Sequence, residues 1–154
     1  MAQPRPKLPA NPPCPEETLF VGLVRTADRL ARGPAQLLRE HDLSPAPYNV
    51  LRILRGAPDG LLCGEIAARM ITREPDITRL LDRLEKRDLL HRCREEEDRR
   101  RVLVRITPAG LAQLARLDSP IQEIHRRQLG HLTRKQLQEF TELLDAALRS
   151  EPDQ

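Results

Sequence analysis

A chain of 154 residues with a net charge of only +3 is sized for one domain, or for one domain carrying long accessory helices. Its 26 Lys and Arg nearly balance its 23 Asp and Glu, which excludes a uniformly basic coat and makes the placement of charge matter more than its sum. No apolar run approaches the ~20 residues of a membrane span. The proline-rich start lacks the apolar core of a signal peptide, and three cysteines do not make a disulfide framework, so the expectation is a cytoplasmic protein without a membrane partner.

Nearly all the positive charge is arginine; Lys7, Lys86 and Lys135 are the only lysines. A GC-rich codon bias accounts for most of that total, but for little of the cluster Arg99-Arg100-Arg101. Phe20, Tyr48 and Phe140 are the only aromatic residues. That argues against a stacking platform for single-stranded nucleic acid and leaves the core to Leu, Ile, Val and Ala.

In chain order, residues 1–15 hold six prolines and read as a disordered tail. Phe20, Leu23, Val24, Ala27, Leu30 and Ala31 recur at helical spacing, predicting a helix over 17–40 that Gly33-Pro34 should kink or interrupt. Ser44-Pro45 is a cap followed by proline at the first helical position, opening a helix with Tyr48, Val50, Leu51, Ile53 and Leu54. The turn cluster 56–60 ends it, and Leu61-Leu62 suits a short strand. A short helix over 63–70 turns Ile66, Ala67 and Met70 inward. A second, over 75–88 with Pro75 near its start, has an apolar face at Ile77, Leu80, Leu81 and Leu84. Strands at 89–94 and 101–106 flank a charged tip. Thr107-Pro108 then opens a helix to about 129, bent at Ser119-Pro120, with Leu111, Leu114, Leu117, Ile121, Ile124 and Leu129 on one side. Thr133-Arg-Lys-Gln136 is a capping box for a last helix whose face is Leu137, Phe140, Leu143, Leu144, Ala147 and Leu148.

The pair of helices at 63–70 and 75–88 has the form of a helix-turn-helix, and the hairpin after it has the form of a wing. The polar face of the second helix offers Arg73, Pro75, Asp76, Thr78, Arg79, Arg83 and Arg87. Hydroxyl and guanidinium groups suit base edges in the major groove, read mainly by the N-terminal part of such a helix. The hairpin tip, Glu95 to Arg101, sets four acids beside three arginines. The acids would repel phosphate, so we expect Asp98 to hold Arg100 in a bidentate pair, with Arg99 or Arg100 reaching a narrow minor groove and Arg99, Arg100 and Arg101 together supplying the minor-groove and phosphate contacts. A solvated helical face and an ordinary charged turn remain the plainer readings of each piece taken alone.

Helices of ~20 residues are ~30 Å long, too long to bury their stripes on a winged core of about 60 residues. The economical arrangement is a homodimer with interleaved terminal helices; a monomeric bundle folded over the winged domain is the alternative. Cys14, Cys63 and Cys93 form no Cys-x-x-Cys pair, and the four histidines are scattered, so no metal site or cofactor is expected. A thiol-based redox sensor would have to rest on Cys14; Cys63 and Cys93 read as small packed residues. No nucleophile–base pair or phosphate-binding glycine loop is present, which argues against an enzyme.

The chain resembles the MarR family of bacterial transcription regulators over about residues 17–149. Four segments carry the resemblance: Leu43-Ser-Pro-Ala-Pro-Tyr-Asn-Val-Leu51, Gly64-Glu-Ile-Ala-Ala-Arg-Met70, Pro75-Asp-Ile-Thr-Arg-Leu-Leu-Asp-Arg-Leu-Glu85 and Asp98-Arg-Arg-Arg-Val-Leu-Val-Arg-Ile-Thr-Pro-Ala-Gly110. It departs from the family where Leu62 replaces a Thr or Ser cap, which should weaken the start of the bracing helix. It departs again where Asp88 replaces a Gly that needs left-handed geometry. The resemblance implies a mainly α (α+β) winged helix-turn-helix with long terminal dimerisation helices. The parts are a tail at 1–16, a dimerisation helix at 17–42, the winged domain at 43–107 and dimerisation helices at 108–150. It implies a homodimer on double-stranded DNA at a pseudo-palindromic operator, commonly released by a small phenolic or anionic effector. The wall of the effector crevice would include Arg25, Arg29, His41, Tyr48 and Arg52; alternatively, Tyr48 is packing and the arginines are solvated. A winged-helix module that binds protein and no DNA is a further alternative.

Overall fold

The computed structural model describes residues 14–94 and 101–149. The proline tail and the hairpin tip, with Asp98, Arg99 and Arg100, lie outside the described residues. The element order is α1 (Pro15–Glu40), α2 (Pro45–Arg55), β1 (Leu61–Leu62), α3 (Cys63–Arg69), α4 (Ile77–Glu85), β2 (Leu90–Arg94), β3 (Val102–Ile106), α5 (Pro108–Leu129) and α6 (Arg134–Leu148).

Helix α1 begins two residues before the predicted start. Cys14 takes the N-cap position, its thiol accepting the Glu17 N–H at 3.4 Å; Pro15 follows with its φ already helical, and Glu16 and Glu17 face the positive end of the helix. The expected interruption at Gly33-Pro34 does not occur, because α1 runs unbroken to Glu40. Proline leaves the carbonyl four residues back without its helical donor. Here that carbonyl belongs to Leu30, and Gln128 Nε2 of α5 donates to it at 2.9 Å. Gly33 allows the approach: a Cβ there would stand 3.0 Å from Ile124 Cγ2 and 3.2 Å from Gln128 Nε2. Ser119 and Pro120, where a bend was expected, lie inside α5 on its exposed face, and the helix is continuous from Pro108 to Leu129.

Ser44 occupies the N-cap of α2 without a side-chain cap bond, and Pro45 supplies the start; Val50, Leu51 and Leu54 are fully buried. Helix α3 starts without a hydroxyl cap. Glu65 reaches back instead and accepts the Leu62 N–H at 2.7 Å, which answers the weakness expected at Leu62. Ile66 is buried and Met70 half-buried, but Ala67, expected inward, is exposed, because a helix of seven residues turns only one narrow face to the core. Helix α4 begins at Ile77 rather than 75 because the Asp76 carboxylate caps it, accepting the Arg79 N–H at 3.0 Å. It ends at Glu85, not 88. Asp88 lies beyond it with φ 54°, the left-handed geometry its position requires.

The strands form an antiparallel sheet in the order β1-β3-β2, with Leu61 and Arg92 both opposite Val104. Thr107, buried at the start of α5, donates its hydroxyl to the Asp88 carbonyl at 2.6 Å and accepts the Gly110 N–H at 3.0 Å. Gly110 lies so close to the hairpin base that a Cβ would be 2.2 Å from the Leu89 carbonyl oxygen. The core joins Leu38 of α1, the inner faces of α2 and α4, the sheet, and Leu114, Leu117 and Ile121 of α5; Leu111, expected on that stripe, is exposed. Polar links reinforce it. Arg55 grips both Asp118 oxygens at 2.9 and 2.7 Å, Gln113 Nε2 donates to the His41 carbonyl at 2.9 Å, and Arg87 donates to the Asp42 carbonyl at 2.6 Å. Helix α6 has no buried residue, and Leu148 is 82% exposed.

Candidate nucleic-acid interface

Leu80, Leu81 and Leu84 anchor α4 face-down on the core. The opposite face is thereby committed to solvent: Thr78, Arg79 and Arg83 are all exposed, as are Arg73, Pro75 and Asp76 in the turn before it. The side chains of Arg73, Arg79 and Arg83 have no carboxylate partner among the described residues, so their donors are available to an incoming ligand. Asp76 has a structural duty the sequence did not reveal, because its carboxylate caps the helix. Arg87 likewise ties the end of α4 to the turn between α1 and α2. Arg101, exposed, leads into β3 on the described edge of the wing.

Three residues missed by sequence reasoning join α4 to the wing. Arg92 of β2 lies 2.7 Å by Nη2 from Asp82 Oδ1, pairs by Nη1 with Glu85 Oε2, and reaches the Thr78 carbonyl at 3.5 Å. Its backbone N–H donates to Glu85 Oε1 at 2.9 Å. Burial works to lower the Arg92 pKa, but hydrogen bonds and charge from Asp82 and Glu85 outweigh it and hold the guanidinium above its usual value. The signal available in the sequence was the acid spacing 82 and 85 on α4 and an arginine two residues after Leu90, on the same parity of β2.

The five residues of the expected effector wall are not brought together. Arg25 and Arg29 line a cleft of about 1370 Å³ between α1, the C-terminal half of α5 and the start of α6, with Arg127, Gln128 and His131 also on its wall. His41, Tyr48 and Arg52 do not line it. The Arg52 guanidinium stacks over the Tyr48 ring at 5.8 Å on α2, and the His41 carbonyl is held by Gln113. The Gln128 Oε1 at the cleft is buried and has no hydrogen-bond partner. The cysteines are free: Cys14 exposed at the α1 cap, Cys63 half-buried with its Sγ 4.0 Å from Thr78 Oγ1, Cys93 half-buried in β2. No group of His, Cys, Asp and Glu suited to a metal ion occurs among the described residues, and no helix described is long and apolar enough to cross a membrane.

Residues 41–101, the span from the α1–α2 turn to the wing, match the MarR family. A MarR transcription factor from Planctomyces limnophilus is 37% identical over 91% of this chain and 99% of its own, with a TM-score of 0.65. The homoprotocatechuate degradative operon repressor of Escherichia coli is 24% identical over 84% of this chain and 86% of its own. The fold also matches that of Bordetella bronchiseptica BpsR, whose DNA binding is regulated by 6-hydroxynicotinic acid; the TM-score is 0.79 at 23% identity, over 92% of this chain and all of BpsR. With an exposed hydroxyl and guanidinium face on α4, a wing beside it and a near-complete match to a MarR transcription factor, the chain belongs to the MarR family of DNA-binding transcription regulators and not to an enzyme class.

Proposed function

We propose that the protein is a ligand-responsive repressor that binds a pseudo-palindromic operator as a homodimer. The observation that carries the DNA-binding half is the division of α4: Leu80, Leu81 and Leu84 are buried while Thr78, Arg79 and Arg83 stand exposed, without acidic partners among the described residues. Thr78 and Arg79 contact the major groove, flanked by Arg73, Asp76 and Arg83. Arg99, Arg100 and Arg101 serve the minor groove and the phosphates. The dimer is supported by the apolar faces a single chain leaves open, Leu19, Phe20 and Val24 on α1 and Phe140, Leu143, Leu144 and Leu148 on α6. In such a dimer two α4 helices stand about 34–36 Å apart, one duplex turn. The effector is a small anionic or phenolic compound. Arg25, Arg29, Arg127 and His131 supply donors at the cleft, and Gln128 Oε1 offers an unmatched acceptor.

The test is titration of purified protein onto DNA upstream of its own gene at two salt concentrations, with random duplex as competitor. The expected result is binding by a dimer that survives the competitor. Arg79→Ala should cost roughly 1–3 kcal/mol and relax specificity at one position. Absence of salt-dependent DNA binding would instead assign a protein-binding winged-helix module. Hydroxylated aromatic carboxylates added to the complex should release the DNA, and Arg29→Ala should blunt that release without weakening the operator complex.

A further inference from the structure

Beyond the shared apolar core, the Arg92 side chain ties the protein's two DNA-facing parts, α4 and the wing, by polar contacts. Arg92 stands on β2, the first wing strand, and its partners Thr78, Asp82 and Glu85 lie at i, i+4 and i+7 on α4, a single stripe over two turns. A planar guanidinium that reaches two carboxylates and a carbonyl at once fixes direction as well as distance. The backbone N–H of the same residue completes the attachment through Glu85 Oε1. The Arg92 side chain is 26% exposed, so this joint is shielded more than its acidic partners, at 49% and 37%.

We propose that Arg92 is the positioning residue of the DNA interface, setting the angle between α4 and the wing so that major-groove and minor-groove contacts fall in register on one half-site. This rests on the DNA-binding reading above. The same side chain has a second effect to be separated from the first. Asp82 and Glu85 put two negative charges on a helix that approaches phosphate, and Arg92 offsets one of them. Loss of Arg92 therefore disturbs geometry and adds one net negative charge, whereas loss of all three groups disturbs geometry and removes one, so the two variants separate geometry from charge.

The experiment uses the full-length chain, a duplex selected by it from a random library, and the same duplex with one base pair inserted between the major-groove and minor-groove portions of each half-site. The variants are Arg92→Ala, Arg92→Lys, and Arg92→Ala combined with Asp82→Asn and Glu85→Gln, each checked for helix content and melting temperature. For the wild type, the insertion should weaken binding about tenfold or more, as when one good base contact is lost. In the triple variant the change of charge alone would favour DNA, yet the insertion should cost little and operator-over-random preference should fall. Arg92→Lys keeps the charge but presents no fork, so it should behave like the triple variant, which decides the matter if Arg92→Ala fails to fold. A triple variant or Arg92→Lys with the wild-type insertion penalty would overturn the proposal, leaving Arg92 as a charge neutraliser. Wild-type protein that selects no duplex would instead overturn the DNA-binding reading itself.

Discussion

Asp88 holds φ at 54°, where a side chain with a Cβ is strained and glycine is not. Asp88→Gly should raise stability by about 1 kcal/mol, seen as a higher urea midpoint at unchanged slope, because the carbonyl that accepts the Thr107 hydroxyl is kept. Asp88→Val should lower it. Glu16 gives a pH-dependent counterpart. The backbone N–H at the α1 start, with a smaller contribution from Cys14, holds its carboxyl below the ordinary value of 4.5. A carboxylate with a depressed folded pKa stabilises fully above its unfolded pKa and loses that contribution as pH falls through the folded value. Glu16→Gln should therefore change stability only slightly at neutral pH, given full exposure, and flatten its decline below pH 4.5. At this scale the sequence showed which residues α4 presents to solvent but not which ones hold it. The partners of Arg92 lie seven and ten residues away across a turn. In a chain this rich in Arg, Asp and Glu, many such pairings look equal until the strand direction is known.

The helices were legible because their apolar spacing is strong, and two starts were misplaced because the capping residue was not recognised: Cys14 for α1 and Asp76 for α4; α3 starts at Cys63 as expected, with Glu65 supplying the cap contact. The interruption allowed for at Pro34 did not occur for a related reason. A proline breaks a helix only if nothing else satisfies the carbonyl it orphans, and Gln128 comes from 98 residues away. This yields an element-scale prediction. Gln128→Leu should destabilise by about 1–3 kcal/mol by leaving the Leu30 carbonyl without a donor. In a Pro34→Ala background the helix supplies its own N–H, and the same replacement should cost less. A double-mutant cycle on melting curves measures the difference, and additive effects would mean that the Gln128 bond is incidental.

For the whole molecule, sequence periodicity indicated more apolar surface than one core covers, and the structure leaves that surface on α1 and α6, with Phe20 at 66% and Leu143 at 68% exposed. The position of the cleft beside α1 was not legible, because it depends on where α5 and α6 pass α1, which no local pattern encodes. Sedimentation should show a dimer at micromolar concentration. Leu144→Glu with Leu148→Glu should give a monomer that keeps its helix content but loses operator binding by far more than either contact alone, since both half-sites must be held together. A wild-type monomer under the same conditions would favour a closed bundle.

The carbonyl that receives Arg87 belongs to Asp42, a residue with φ 55° in the short turn between α1 and α2. The end of α4 is thus pinned at the pivot of α1 and not along its length. A helix of 26 residues is an arm of ~39 Å, so a tilt of about 5° carries its far end roughly 3 Å while the pivot hardly translates. The geometry therefore predicts that any sweep at the outer end of α1 would reach the Arg87 contact as a displacement many times smaller.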